Sequence, residues 1–108
     1  MSGIHVTEAE GVLLDVLWRL GPLPPSRLIA EVKAERRWRD TTVKTLLGRL
    51  RRKRLVVAER VQGALTYRPT IDRDAHVRSE VQALADRLFG GERTGILQWL
   101  ELDLRQGP

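Results

Sequence analysis

Cysteine is absent from the 108-residue sequence, and other metal-binding or nucleophilic residues are few. Without cysteine the chain can form no disulfide, thiolate metal site, iron–sulfur cluster or cysteine nucleophile. The two histidines, His5 and His76, lie far apart in the sequence, and each is more simply a surface residue than a metal ligand. No Ser/His/Asp or Cys/His constellation is visible either. We therefore expect no metal, no cofactor and no enzymatic activity.

Long hydrophobic runs are also missing from the chain. No apolar stretch approaches the roughly 18 residues of a membrane-spanning helix. The N-terminus lacks the basic start and apolar centre of a signal peptide. We therefore expect no membrane insertion and a cytoplasmic location.

Positive charge is concentrated in the middle of the chain. The net charge is +5. Between Lys33 and Arg60, eleven Lys/Arg stand against three Asp/Glu, which gives +8 and leaves −3 for the remainder. A positive centre between mildly acidic ends indicates a polyanion bound at one place. A membrane surface is a competing polyanion, but it favours a strongly apolar helix face with flanking cations, and no such helix is predicted outside the core.

The segment from residue 39 to residue 54 combines an apolar helix face with a basic one. Its apolar residues recur at helical spacing and predict one buried stripe; they are Val43, Leu46, Leu47 and Leu50. The opposite face carries short hydroxyls and cations, with no carboxylate after Asp40. Such a helix suits the major groove of DNA, because hydroxyls can approach base edges while cations meet phosphates. A basic helix face is also common as plain solvated surface.

Two further helices are predicted before this segment. The first opens with a capping box, in which Thr7 and Glu10 satisfy each other's backbone amides, and it ends at Gly21-Pro22. The second starts at Pro25 or Ser26, because proline is tolerated in a first turn, and runs to about Arg36. Trp38 comes next, and it either packs against the domain or lies near a phosphate backbone.

A β-hairpin is predicted directly after the basic helix. Strands over 55–60 and 65–68 flank Gln62-Gly63, where glycine permits the positive φ of a tight turn. Isolated hairpins are marginally stable, so this one should lean on the helices. The residues expected to make that contact are Leu55, Val57, Leu65 or Tyr67.

The order helix, helix, basic helix and hairpin is that of a winged helix-turn-helix. The predicted fold class is mainly α with a small β-hairpin, made of a winged helix-turn-helix domain plus C-terminal dimerisation helices. Residues 1–70 are the predicted winged-helix DNA-binding domain, and residues 71–108 are the predicted helical dimerisation segment. A winged helix can also be a protein-interaction module, but the charge centred on the third helix argues against that use.

The C-terminal segment is predicted to hold two amphipathic helices. Asp72 caps the first, and Gly90-Gly91 separate it from a second helix over about 92–104. The winged helix accounts for its own apolar faces, so a partner copy is the simplest surface for these stripes; the alternative is that both helices fold back on their own domain. A homodimer would place two recognition helices about 34 Å apart on one face of a duplex. The predicted interface residues are Val77, Val81, Leu84, Leu88, Phe89, Ile96, Leu97, Trp99, Leu100 and Leu104.

Several short motifs coincide with those of one family. They are Thr-Glu-Ala-Glu at 7–10, Val-Leu-Trp at 16–18, Gly-Pro-Leu at 21–23, Thr-Thr-Val-Lys-Thr-Leu-Leu-Gly-Arg-Leu at 41–50, Tyr67-Arg68-Pro69 and Arg87-Leu88-Phe89-Gly90-Gly91. On these residues the chain resembles the BlaI/MecI family of bacterial penicillinase repressors, from residue 4 to about residue 100. The resemblance implies a homodimeric winged-helix repressor bound to a palindromic operator. It also implies derepression when a membrane sensor of β-lactams triggers cleavage of the C-terminal region, roughly at Gln98-Trp99.

Some positions depart from the family pattern. Arg39-Asp40 replaces the usual Ser/Thr-Pro, so Asp40 is expected to cap the recognition helix with Thr41 as its first residue. Arg54 replaces a common glycine, so the usual αL ending of that helix is not expected. The chain ends at Pro108, where many relatives carry one more helix. This keeps open an alternative, a protein-interaction module or dimer-mixing anti-repressor without its own operator.

The predicted DNA contacts follow from placing the third helix in the major groove. Its threonines and Lys44 lie nearest the bases, and Arg49, Arg51 and Arg52 meet phosphates. The hairpin, which is the wing of this fold, contacts the flanking DNA backbone through Arg60 and Arg68. Ser26 offers its hydroxyl and the amides of its helix N-terminus to a phosphate. The predicted DNA-binding residues are Ser26, Arg39, Thr41, Thr42, Lys44, Thr45, Arg49, Arg51, Arg52, Arg60 and Arg68. The expected partners are double-stranded DNA, a second copy of the chain and, through the resemblance, a membrane sensor-protease pathway.

Overall fold

Five helices and a two-stranded hairpin form the computed structural model, which describes residues 5–107. In chain order they are α1 (Glu8–Leu20), α2 (Pro25–Glu35), α3 (Asp40–Arg52), β1 (Val56–Val61), β2 (Ala64–Pro69), α4 (Arg73–Leu88) and α5 (Arg93–Arg105). The predicted fold class, mainly α with a small hairpin, is confirmed. Contacts divide the chain into two compact units between Ile71 and Asp72. Residue 4, where the resemblance begins, and the terminal Pro108 lie outside the described residues.

Helix α1 begins and ends at the predicted signals. The Glu10 amide donates to Thr7 Oγ1 over 3.1 Å, and the Thr7 amide donates to Glu10 Oε1 over 2.9 Å. This reciprocal pair is the capping box. At the other end Gly21 has φ 86°, and its amide donates to the Leu17 carbonyl. Glycine ends the helix there because it adopts positive φ without steric penalty from a Cβ.

The core of the first unit is formed by α1, α2, α3 and the base of the hairpin. The four-residue stripe predicted on α3 is buried. Trp38 is half-buried and packs against this core. Of the two positions that the sequence leaves open for Trp38, packing against the domain is therefore the one observed. The buried hydrophobic residues are Val6, Leu13, Leu14, Val16, Leu17, Leu23, Leu28, Val32, Val43, Leu46, Leu47, Leu50, Leu55, Val56 and Tyr67.

The hairpin has the predicted two-residue turn. Its strands pair antiparallel over their full length, from Val56 opposite Pro69 to Val61 opposite Ala64. The turn residues Gln62-Gly63 have φ values of 52° and 83°. Two positive φ values in succession are what a type I′ turn requires, and this turn matches the twist of the strands it joins.

The base of the hairpin is attached to the helical core. Leu55 and Tyr67 are buried as predicted, Val57 is half-buried, and Leu65 is 40% exposed. Tyr67 also exchanges two backbone hydrogen bonds with Leu23, of 2.8 and 3.2 Å. The hairpin therefore contacts the helices at its base, through Leu55 and Tyr67, whereas Leu65 lies near its tip.

The start of α3 differs from the prediction. Arg39 occupies the N-cap position and makes no capping hydrogen bond with its side chain, while Asp40 is the first helical residue. The Asp40 carboxylate instead accepts a 2.5 Å hydrogen bond from Lys33 Nζ on α2. The prediction that Asp40 caps the helix was wrong, because a cation from the neighbouring helix binds the carboxylate.

The end of α3 also corrects the sequence interpretation. Arg54 has φ 61°, in the left-handed region. The Leu55 amide donates to the Leu50 carbonyl over 2.9 Å, and the Arg54 amide donates to the Arg51 carbonyl over 3.0 Å. These two bonds form a Schellman motif. The αL ending is therefore kept without glycine; two hydrogen bonds and the burial of Leu55 beside Leu50 outweigh a cost of about 1 kcal/mol.

The second unit is a pair of helices with little buried surface. Asp72 caps α4 by accepting from the Ala75 amide over 3.4 Å, as predicted. At the junction Phe89 lies so close to Gly95 that an added Cβ would be 3.0 Å from its ring. Ala85 is buried, but no residue of α5 is. The unit exposes large hydrophobic side chains at Val77, Val81, Leu88, Leu97, Trp99, Leu100, Leu102 and Leu104.

Candidate nucleic-acid interface

The face of α3 opposite its buried stripe carries a row of small and basic residues. Each helical residue turns by about 100°, so the positions farthest from the stripe are Thr41, Thr45, Gly48 and Arg52. Gly48 is partly exposed and the other three are exposed. We call these four residues the outer row. It presents two hydroxyls, a position without side chain and a guanidinium along one line.

Two flanks border the outer row. Thr42 and Arg49 lie on one side, and Lys44 lies on the side that faces α2; all three are exposed. Thr41, Thr42, Thr45, Leu46 and Arg49 line a surface depression of about 260 Å³. The structure thus brings the predicted threonines and cations of α3 onto one exposed surface.

A wider groove separates α3 from α2. Its volume is about 730 Å³, and the lining is formed by Pro25, Ser26, Ile29, Ala30, Lys33, Ala34, Asp40 and Lys44. The hydrogen bond from Lys33, and then its charge, hold the pKa of the Asp40 carboxyl below its usual value; the charge of Lys44 acts in the same direction. The acid beside the outer row is therefore ionised and paired with a cation.

The basic run at the end of α3 divides into separate roles. The Arg51 guanidinium lies 5.4 Å from the centre of the Tyr67 ring, a cation–π distance that joins α3 to the wing. Lys53 turns back toward α1, and Arg54 carries the αL ending. Of this run, Arg52 is the residue aligned with the outer row. The sequence assigns Arg51 and Arg52 the same phosphate-binding role, because sequence letters do not show which neighbour each cation meets.

Lys53 binds the buried carboxylate of Glu10. Its Nζ donates to Glu10 Oε1 over 2.7 Å and to the His5 carbonyl over 2.9 Å. Burial of Glu10 disfavours its charge, but hydrogen bonds from Lys53 and the Thr7 amide outweigh this and lower its pKa. The other oxygen, Glu10 Oε2, has no hydrogen-bond partner within the described chain. This pair fixes the end of α3 to the start of α1, and sequence reasoning missed it because 43 residues separate the partners.

The wing arginines do not share one surface. Arg60 lies opposite Leu65 in the register and Arg68 opposite Val57, so the two arginines lie on opposite faces of the hairpin. Arg60 donates to the Gly63 carbonyl over 3.0 Å, and Arg68 donates to Glu59 over 3.0 Å. Both are exposed, but Arg68 already has a carboxylate partner.

The remaining predicted contacts lie at helix starts. Ser26 is exposed in the first turn of α2, where Pro24 is the N-cap and provides no side-chain cap. The first amides of such a helix are available to an anion. Arg39 is exposed at the N-cap of α3.

The described part of the chain contains neither a candidate metal site nor a candidate membrane span. Residues 5–107 contain no group of three His, Asp or Glu side chains that could hold a metal ion. No helix among them is long and apolar enough to cross a membrane.

Comparison with known proteins decides the family. The family model described as penicillinase repressor matches residues 6–103. The chain belongs to the penicillinase repressor family. The resemblance seen in the sequence is therefore confirmed, and this family is one of transcriptional repressors, not of enzymes.

Individual relatives of this penicillinase repressor family member are distant. An uncharacterized 16.5 kDa protein of Latilactobacillus sakei is 29% identical over 80% of this chain. The aligned region spans 59% of that protein's length. A penicillinase repressor of Bacillus licheniformis is 23% identical over 95% of this chain and 81% of its own length.

A solved structure supports the fold assigned to the family member. The solution structure of the DNA-binding domain of the repressor BlaI matches with a TM-score of 0.58 and 26% identity. The match covers 68% of this chain and 90% of that domain.

Proposed function

We propose that this protein is a DNA-binding transcriptional repressor that places the outer row of α3 in a major groove. The two-sided character of α3 carries the proposal. Four buried apolar residues anchor the helix, while every predicted contact residue on it is exposed. Membership of a repressor family and the likeness to a DNA-binding domain support the same use of this surface.

Within this docking the N-terminal half of α3 reads bases. Recognition helices contact base edges through their first turns, so Thr41, Lys44 and Thr45 approach the bases. Arg49 and Arg52 lie further along the helix and bind phosphates. Phosphate contacts set the register of the protein on the duplex, and base contacts set the sequence preference.

The second helix and the wing add backbone contacts in this proposal. Ser26 and the first amides of α2 receive one phosphate. Arg60 is the wing residue we assign to flanking backbone, because Arg68 is paired with Glu59. Arg51 is better suited to holding the wing through Tyr67 than to binding phosphate.

The proposed repressor acts as a homodimer on a two-fold-symmetric operator. Its second unit exposes Leu97, Leu100 and Leu104 on one side of α5, and none of the residues of that helix is buried. Exposed apolar patches mark interaction surfaces. A second copy is the occupant we propose, because repressors of two-fold symmetry bind half-sites about 34 Å apart.

Derepression by cleavage is the finer part of the proposal. Gln98 and Trp99, in the region indicated by the family resemblance, are exposed in the middle of α5. A protease needs an extended segment, and a helix with no buried residue opens at little free-energy cost. Cleavage there would remove half of α5 from the proposed dimer surface and so lower the affinity for the operator.

The test begins with selection of bound sites from random duplex, followed by anisotropy titrations over a series of salt concentrations. Lys44→Ala and Arg49→Ala should each weaken binding to the selected site. Each should also reduce the salt slope by about one where the side chain meets a phosphate. Arg19→Ala is the control; it removes the same charge from α1, where Arg19 is already paired with Asp15.

The outcomes separate this function from its alternative. A two-fold-symmetric motif, with weaker binding by both α3 variants and not by Arg19→Ala, supports the proposal. Unchanged affinity of both variants at low salt contradicts the docking. A strict monomer in light scattering, without affinity for any selected duplex, favours the protein-interaction alternative.

A further inference from the structure

Asp40 is the only acidic residue of α3, and it lies beside the surface that we propose for a polyanion. Its side chain is 54% exposed and does not cap the helix. Its Oδ1 accepts from Lys33, while Oδ2 makes no hydrogen bond within residues 5–107. The residue is therefore an exposed acceptor at the first position of the recognition helix.

A carboxylate discriminates among the bases because it can only accept hydrogen bonds. In the major groove the amino group of cytosine donates, whereas guanine and thymine present acceptors that repel a carboxylate. Adenine also donates, but its N7 acceptor lies beside its amino group. An ionised aspartate that reaches a base edge therefore favours cytosine.

The position of Asp40 suits contact with a base. It precedes Thr41, the first residue of the outer row, and lies one turn before Lys44. The first residues of a recognition helix are those that contact base edges. Lys33 holds one carboxylate oxygen at 2.5 Å and partly neutralises the charge that would otherwise repel nearby phosphates.

We propose that Asp40 is a specificity-determining residue that selects cytosine at one position of each half-site, with Lys33 holding its carboxylate in place. This inference rests on the proposed docking of α3. It assigns to the ion pair a role in sequence preference, beyond joining α2 to α3.

The experiment compares the motifs selected by the wild type, Asp40→Ala, Asp40→Asn and Lys33→Met, each checked for folding by circular dichroism. The wild type should require cytosine at one position of each half-site. Asp40→Ala should lose about tenfold discrimination at that position alone. Asp40→Asn should shift the preference there toward adenine, because an amide can bond both adenine N6 and N7.

Lys33→Met distinguishes base recognition by Asp40 from a structural effect of losing the Lys33–Asp40 ion pair. It removes the same pair but keeps the carboxylate, so cytosine should stay preferred while overall affinity falls. An Asp40→Ala motif identical to that of the wild type would overturn this inference and leave the repressor function standing. Equal loss of the cytosine preference at that position in Lys33→Met and Asp40→Ala would also overturn it. Absence of any wild-type motif would overturn both proposals.

Discussion

Helices α3 and α5 are each thirteen residues long, but they relate to their surroundings in opposite ways. Helix α3 buries Val43, Leu46, Leu47 and Leu50 in its own unit. Helix α5 buries none, and Leu97 and Leu104 are 60% and 74% exposed. The first helix is stabilised by its own chain, so its polar face is available to a ligand. The second has apolar surface that its own unit leaves uncovered, and this is the basis for the proposed second copy.

The largest effect is expected for a substitution on the buried side of α3. Leu50→Ala should lower the free energy of unfolding by about 3 kcal/mol, because Leu50 is fully buried and the change leaves a cavity. Leu104→Ala is the matched control on α5 and should change it by less than about 0.5 kcal/mol at concentrations where the chain is monomeric. Urea unfolding followed by far-UV circular dichroism measures both. Equal losses would mean that α5 is anchored like α3.

The next prediction addresses the exposed face of α5. Leu97→Glu should weaken self-association by about 2 kcal/mol, because each carboxylate loses water in a dimer interface. Light scattering over a range of concentrations should show a shift toward monomer. Leu20→Glu makes the same change at a residue of α1 that is 43% exposed, and should leave the mass unchanged. An unaltered mass for both variants would move the dimer surface away from Leu97.

A third prediction concerns the tie between α3 and α1. The folded pKa of Glu10 lies below its ordinary value of 4.5. Its contribution to stability is therefore complete above about pH 4.5 and is lost as the pH falls through the lower, folded pKa. The free energy of unfolding of the wild type should exceed that of Glu10→Gln by about 1.5 kcal/mol near neutral pH. The reason is that hydrogen bonds to a charged group are lost in the variant.

The pH series supplies the check on that tie. Unfolding free energies measured from pH 7 downward should converge for wild type and Glu10→Gln as Glu10 becomes protonated. A constant difference across the series would show that the charge of Glu10 does not contribute to the stability of the fold. Lys53→Met should move the convergence to higher pH, because the buried carboxylate loses the cation that lowers its pKa.

Local signals allowed most of the fold to be predicted from the sequence. The Thr7–Glu10 box, the ending at Gly21 and the turn at Gln62-Gly63 each depend on residues a few positions apart. The stripe on α3 was predicted because helical spacing alone decides which residues share a face. These features needed no knowledge of how the elements pack.

The interactions of charged side chains across elements could not be predicted in the same way. Lys33 with Asp40, and Lys53 with Glu10, join different helices, and many other cations in the sequence were equally available. One missed feature could have been derived. A two-residue turn fixes the register of the hairpin, and the alternation of side chains along each strand then places Arg60 and Arg68 on opposite faces.

The smallest effect is expected for a substitution within the outer row, at Gly48. An added Cβ there would meet only Arg52 Nη1, at 3.8 Å, an ordinary van der Waals contact. Gly48→Ala should therefore raise the free energy of unfolding by about 0.8 kcal/mol through helix propensity. The same methyl group would stand on the surface proposed to enter the groove, so the affinity for the selected duplex should fall while stability rises.

Gly11→Ala provides the matched control for this last prediction. Gly11 lies inside α1, and its added Cβ would be 4.0 Å from Val6 Cγ1, so the change should stabilise the helix similarly. It leaves the outer row untouched and should not alter duplex affinity. Thermal unfolding and anisotropy titration of both variants give the comparison. Gly48→Ala with wild-type affinity would mean that DNA does not approach α3 at its middle, and contact would then be confined to the first turns of the helix, where Asp40 and Thr41 lie.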